Sequence, residues 1–101
     1  MKFGTWVFPI SESPDKDGQV IDNTTEEIIL CDKLGYEAVW LSEHHFDGAV
    51  AYADPVTFAS SISRLTKKIK IGFAVVEMSL HHPVRLAAQT ALIDNLSKGR
   101  L

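Results

Sequence analysis

Cysteine, long apolar runs and a leader segment are scarce or absent in this sequence, and each shortage excludes a class of protein. Cys31 is the one cysteine among 101 residues, so an internal disulfide is excluded. No stretch approaches the roughly 18 apolar residues that a membrane span requires. Residues 1–10 lack the apolar core and the small-residue cleavage site of a signal peptide. We therefore expect a soluble protein in the reducing environment of the cytoplasm.

The sequence also has little excess of charge of either sign. The 10 basic and 13 acidic residues give a net charge of −3 at pH 7, and they form no run of like charges. Proteins that bind nucleic acids or membrane surfaces carry basic patches, so we expect neither kind of partner. With 46% hydrophobic and 23% charged residues, the composition is typical of an ordinary globular domain.

Three apolar runs divide the chain: residues 2–8, 37–42 and 69–76. Their apolar residues are nearly continuous rather than alternating, which is typical of strands that are buried on both faces of a parallel sheet. Trp6 and Trp40 lie inside the first two runs, and strand propensity alone predicts them to be core residues. We expect three parallel strands at these positions.

A helical pattern follows each apolar run. Thr24 and the glutamate three residues later have the spacing of a capping box, which predicts a first helix that ends at Gly35. The connection from the first strand is then a long loop over residues 9–23. Asp54, followed by proline, predicts the start of the second helix, and Pro83 predicts the start of the third.

Strand and helix alternate three times, which predicts a parallel sheet with right-handed crossovers, either doubly wound or closed into a (β/α)8 barrel. The first strand-helix connection contains Gly18 alone and lacks the Gly-x-Gly-x-x-Gly pattern of dinucleotide-binding sheets. A barrel places its chemistry in the loops after the strands, where residues 43–45 lie. We predict an α/β fold in which residues 1–101 are the N-terminal portion, three strand-helix units, of one TIM-barrel domain. A complete barrel takes about 250 residues, so this chain is expected to end before the barrel can close.

The tripeptide Glu43-His44-His45 follows the second strand directly. Imidazole takes up and releases protons near neutral pH, and strand alternation would direct the two histidines to opposite sides. The alternative is that these polar residues merely end a strand. A metal site that includes His81 and His82 is disfavoured because the spacing matches no closed zinc pattern. We expect no metal, and we interpret His81 and His82 as a turn and the start of a helix.

Four segments of the sequence together resemble the luciferase-like flavin monooxygenases, and they extend along the whole chain. They are MKFG, GYEAVWLSEHHF, LTKKIKIGFAVV and HHPVRLAAQTALIDNLSKGRL. The resemblance implies a barrel that binds reduced FMN and uses molecular oxygen to oxygenate a small organic substrate such as an aldehyde. It also implies a flavin reductase as the partner that supplies reduced FMN.

The same resemblance assigns roles to individual residues. It implies that His44 is catalytic, by proton transfer, and that His45 is structural. It places Trp6 and Glu43 at the cofactor, together with the pair Ala74-Val75, where the family commonly has a cis peptide bond beneath the flavin. Luciferase itself usually has two alanines at that pair, so light emission is not expected.

Two alternatives remain within this resemblance: a deazaflavin-dependent oxidoreductase, and a non-catalytic subunit of the same fold that binds flavin or stabilises a partner. The helices predicted near residues 55–67 and 83–97 carry small side chains, and the resemblance implies a homodimer through them. Three strands cannot close a barrel, so we expect the isolated chain to lack enzyme activity.

Overall fold

The computed structural model describes all 101 residues, 1–101. The strands are β1 (Gly4–Val7), β2 (Ala38–Leu41) and β3 (Lys70–Phe73), and the helices are α1 (Asp17–Leu34), α2 (Pro55–Leu65) and α3 (Pro83–Ser97). Short 3-10 turns at Pro14–Lys16 and Met78–Leu80 precede α1 and α3. None of the helices in this structure combines enough length with enough apolar surface to cross a bilayer.

The three strands form one parallel sheet in the order β1-β2-β3. In its register Trp6 pairs with Trp40, and Trp40 pairs with Gly72. The predicted parallel strands and strand-helix alternation are confirmed, although each strand has four residues and is shorter than the apolar run that predicted it.

The local signals at two helix ends are confirmed. The Asp54 side chain accepts hydrogen bonds from the backbone N–H groups of Val56 and Thr57, at 2.9 and 3.1 Å, and so caps the start of α2. Gly35 follows α1 with a φ of +83°, a left-handed conformation that glycine adopts without a steric penalty.

The predicted start of α1 is wrong. The helix begins at Asp17, so the region expected to be a loop, residues 9–23, is partly helical. The Thr24 hydroxyl donates to the carbonyl of Val20 at 2.8 Å, one turn earlier in the same helix. The apparent capping box therefore lies inside the helix, where a threonine can satisfy its hydroxyl by bonding back to the preceding turn.

The helices cover one face of the sheet and build the core there. The core consists of thirteen buried hydrophobic residues: Val7, Ile28, Cys31, Val39, Leu41, Val56, Phe58, Ala59, Ile62, Ile69, Ile71, Leu86 and Ile93. Strand residues that alternate with these point to the other face. Trp6 is 57% exposed and Trp40 is 44% exposed on that uncovered face, so the prediction that both tryptophans are core residues is wrong for this chain.

Asp32 joins the end of α1 to the start of β3. Its carboxylate accepts hydrogen bonds from three consecutive backbone N–H groups, those of residues 67–69, at 2.9, 2.7 and 2.7 Å. Burial would raise the pKa of Asp32, but these bonds and the charge of Arg100 outweigh it and lower the pKa below its ordinary value. The ionised carboxylate therefore fixes residues 67–69, which precede β3, against the end of α1.

Arg100 joins the ends of α2 and α3 to the sheet. Its guanidinium donates to the carbonyls of Ser63, Thr66, Ile69 and Ser97 and to the Thr66 hydroxyl, at 2.8 to 3.1 Å. Helix C-termini leave carbonyl groups without partners inside the helix, and a planar donor with five N–H groups can satisfy several at once.

Candidate active site

The carboxyl ends of the three strands meet at one edge of the sheet, which we call the carboxyl edge. Beyond the strands themselves, the Ser42 hydroxyl donates to the Val7 carbonyl at 3.1 Å, and the Ala74 N–H donates to the Leu41 carbonyl at 2.8 Å. These contacts hold the segments that follow β1, β2 and β3 side by side. In parallel barrels this edge carries the active site.

A row of contacts connects three of the predicted site residues at this edge. The indole N–H of Trp6 donates to the Ala74 carbonyl at 3.1 Å. Its ring stacks on Phe8 with centroids 5.4 Å apart, and Phe8 meets the His44 ring edge-on at 5.5 Å. We call this row, Trp6, Phe8, His44 and Ala74 with the neighbouring Val75, the aromatic face. Sequence reasoning missed Phe8, although its position two residues after Trp6 places both on the same side of an extended strand.

The peptide bond between Ala74 and Val75 is cis, as the resemblance implied. Val75 is exposed at the carboxyl edge, while the preceding carbonyl is held by Trp6. The Ala74 carbonyl thus ties this pair to Trp6, and Val75 adds exposed apolar surface to the aromatic face.

His44 also contacts a carboxylate. Its Nε2 lies 3.1 Å from Oδ2 of Asp47, and Oδ1 of Asp47 accepts the backbone N–H of Ala49 at 2.9 Å. The Ala49 N–H is the main cause that lowers the pKa of Asp47; burial opposes it, and the bond with His44 adds to it. Asp47 is a second residue that sequence reasoning missed. The available signal was a carboxylate three positions after the histidine.

Glu43 lies under this edge rather than on the aromatic face. Its side chain is 1% exposed and accepts hydrogen bonds from His45 Nε2 at 2.7 Å, the Glu77 N–H at 2.7 Å and His81 Nε2 at 2.9 Å. We call these four residues the Glu43 cluster. Both carboxylate oxygens are occupied by neighbours, so any effect of Glu43 on a cofactor must pass through the groups that it holds.

The Glu43 carboxylate is stabilised in its ionised form. Burial alone would raise the pKa of Glu43, but the hydrogen bonds from His45, the Glu77 N–H and His81 outweigh burial and lower the pKa below its ordinary value. The interpretation of His81 as part of a turn misses this contact with a residue 38 positions away. No group of three or more histidine, cysteine or acidic side chains has an arrangement that could hold a metal ion.

Comparison with known proteins decides the family. Residues 1–101, the whole chain, match the family model described as luciferase-like monooxygenase. The chain belongs to this family.

This luciferase-like chain is similar to the alkanal monooxygenase beta chain of Photobacterium leiognathi, with 36% identity over 99% of the chain and 31% of the relative. Among solved structures, the monooxygenase RslO1 from Streptomyces bottropensis has a TM-score of 0.91 and 33% identity, over 100% of this chain and 31% of that one. The oxygenating constituent of 3,6-diketocamphane monooxygenase from Pseudomonas putida, solved with FMN, has a TM-score of 0.89 over 99% of this chain and 28% of that one. Its identity is 21%, so this likeness concerns the fold alone.

These neighbours confirm the predicted fold class: three parallel strand-helix units arranged as in the luciferase-like TIM-barrel monooxygenases. The chain spans between 26% and 31% of the length of curated relatives that it matches.

Proposed function

We propose that this chain provides the flavin-binding face of an FMN-dependent monooxygenase, which uses reduced FMN and molecular oxygen to oxygenate a small organic substrate such as an aldehyde. The observation that carries the proposal is the aromatic face. It joins Trp6, His44 and Ala74 in one row of contacts at the carboxyl edge, in a chain that belongs to the luciferase-like monooxygenases.

The aromatic face fits a flat ring system. Trp6 and Val75 expose apolar surface there, and His44 supplies one polar group beside it. Binding sites for cofactors are mostly apolar, with a few polar groups that fix the orientation. Trp6 and the Ala74-Val75 pair would hold the isoalloxazine ring of FMN, and His44 would lie at its edge. Reduced FMN supplies the electrons that activate oxygen.

His44 is the residue that we propose to move a proton. Its imidazole is partly exposed, so a ligand can reach it, and its ring is held between Phe8 and Asp47. In the protein that carries this chain, His44→Ala should lower turnover by roughly 100-fold or more, the range for losing a positioned acid or base. His82→Ala is the matched control, because His82 is exposed at the start of α3. Normal turnover in the His44 variant would contradict the assignment.

A second candidate function is a subunit of the same fold that binds flavin or stabilises a partner without catalysis. It is favoured by the 36% identity to a relative named as a beta chain. Oxygen consumption with reduced FMN and an aldehyde distinguishes the two, because the subunit would bind FMN without turnover. A parallel titration with a deazaflavin coenzyme tests the alternative cofactor.

We further propose a homodimer, with a flavin reductase as a separate partner in the cytoplasm. Helix α3 supports the dimer because its solvent side carries the exposed apolar residues Val84, Ala88 and Leu92. On α2, by contrast, Ala59 and Ser63 are buried against the chain itself, so α3 would contribute most of the contact. Light scattering that gives the mass of a monomer at micromolar concentration would contradict the dimer.

A further inference from the structure

His44 makes one hydrogen bond within the chain, through Nε2 to Asp47 at 3.1 Å, and its Nδ1 has no protein partner. The ring is fixed from another direction by the edge-on contact with Phe8. Asp47 is fixed as well, because its other oxygen accepts the Ala49 N–H at 2.9 Å. Nε2 is therefore hydrogen-bonded to a carboxylate that is itself fixed in place, and Nδ1 is available to a ligand.

We propose that Asp47 is a positioning residue, which keeps the proton of neutral His44 on Nε2 and so presents Nδ1 as the acceptor for a proton of the bound substrate. An ionised carboxylate only accepts hydrogen bonds, so the Nε2 that faces it must carry the proton. A neutral imidazole has a single N–H, and its position is set by the hydrogen bond that the ring makes. The Nδ1 lone pair is then free. The lowered pKa of Asp47, caused mainly by the Ala49 N–H, keeps the carboxylate ionised at neutral pH.

The consequence for catalysis rests on the function proposed above. Nδ1 accepts a proton from an O–H or N–H group of the substrate; that bond breaks and its electron pair stays on the substrate oxygen or nitrogen. The imidazolium that forms keeps its Nε2–H on the Asp47 carboxylate, 3.1 Å away. The reverse transfer returns the proton to the substrate.

A purely structural role for Asp47 is the competing explanation, since its bond to the Ala49 N–H shapes the loop. Asp47→Asn separates the two roles. The asparagine oxygen can still accept the Ala49 N–H, which leaves the NH2 group facing His44. An NH2 group only donates, so Nε2 must become the acceptor and the ring proton must move to Nδ1. The equivalent replacement in serine proteases produces the wrong histidine tautomer.

The test is nitrogen-15 NMR of the uniformly nitrogen-15-labelled 101-residue chain at about pH 9, well above the ordinary imidazole pKa of about 6.5. The His44 signals are assigned by their loss in His44→Gln. We expect the Nε2–H tautomer in the unmodified chain, the Nδ1–H tautomer in Asp47→Asn, and no change in Asp22→Asn. The last is the matched control, because Asp22 is exposed on α1. The Ala49 amide signal reports whether the loop is kept.

An Nδ1–H tautomer in the unmodified chain, or an Nε2–H tautomer that persists in Asp47→Asn, would overturn the proposal. If the Ala49 signal shows that Asp47→Asn disrupts the loop, Asp47→Ala is measured instead. That variant should give a mixture of the two His44 tautomers, and a tautomer unchanged from that of the unmodified chain would also overturn the proposal. No flavin is present, so failure of the proposed function would leave this result standing. In the protein that carries this chain, Asp47→Asn should also lower kcat at least 100-fold and leave KM nearly unchanged.

Discussion

Glu43 is the buried centre of the carboxyl edge, and Glu43→Gln tests what it holds together. The side chain accepts three N–H groups, one of them from the backbone of Glu77, and it connects the segment after β2 to the segment after β3. Glutamine has nearly the same shape but one acceptor oxygen and an NH2 group that only donates. If the glutamine oxygen keeps the Glu77 N–H, the NH2 group faces the two imidazoles, which must then move their protons to Nδ1 or lose the contact.

The magnitude follows from the loss of charge. A hydrogen bond to a charged group contributes about 1.5–3 kcal/mol, against about 0.5–1.5 kcal/mol for a neutral pair. Three such bonds each weakened by about 1 kcal/mol give a loss of about 3 kcal/mol in the free energy of unfolding. Because the pKa of Glu43 is lowered in the folded state, its contribution is complete at pH values above the unfolded pKa. It is lost as the pH falls through the folded pKa.

The assay is urea unfolding of the 101-residue chain, followed by far-UV circular dichroism, at pH 7 and then at decreasing pH. Glu26→Gln on the exposed side of α1 is the matched control, with an expected change within about 0.5 kcal/mol. The difference between Glu43→Gln and the unmodified chain should be about 3 kcal/mol at neutral pH and should shrink below about pH 4, near the ordinary pKa of glutamate. A difference of less than about 0.5 kcal/mol at neutral pH would refute the reasoning.

Three further predictions concern the connections in the fold. Arg100→Lys should lower the free energy of unfolding by about 2–4 kcal/mol, because an ammonium group cannot satisfy the carbonyls of two helices and of Ile69, just before β3, together. An unchanged urea midpoint would contradict this. Asp32→Asn should lower the free energy of unfolding by about 1–3 kcal/mol at neutral pH. Because the pKa of Asp32 is lowered in the folded state, this difference should disappear as the pH falls through that pKa. Urea unfolding of both forms at decreasing pH checks it. Gly72→Ala would place a Cβ 2.5 Å from the Trp40 ring, so it should destabilise the chain by about 1–3 kcal/mol. In a chain that already carries Trp40→Ala, Gly72→Ala should destabilise the fold much less. Equal losses of stability in the two backgrounds would show that the contact with the Trp40 ring is not the cause.

Local signals in the sequence predicted those parts of the fold that depend on neighbouring residues. Asp54 before a proline and Gly35 after a helix both act within one turn, and both were confirmed. Thr24 failed as a helix start because a capping pattern also occurs within helices, where the hydroxyl bonds to the preceding turn. The polar surface residues at the beginning of α1 gave no apolar periodicity that would have predicted its true start.

The candidate site was predicted in part, and distance along the chain explains the rest. The resemblance named Trp6, His44 and the pair Ala74-Val75, and these do lie in or beside one row of contacts. His81 reaches Glu43 from 38 positions away, a contact that no local pattern indicates. Trp6 was assigned to the core on propensity, but alternation along β1 places it opposite the buried Val7.

The central claim is that the aromatic face binds flavin, and a titration of the labelled chain with FMN tests it most directly. The indole N–H signal of Trp6, the ring signals of His44 and the amide signals of Ala74 and Val75 should shift together with one dissociation constant. Because the face is open to water in this chain, we expect that constant to be weaker than micromolar. The amides of residues 67–69, at the opposite edge of the sheet, should not move. Unchanged Trp6 and His44 signals at millimolar FMN, or shifts confined to the helical side, would contradict the claim.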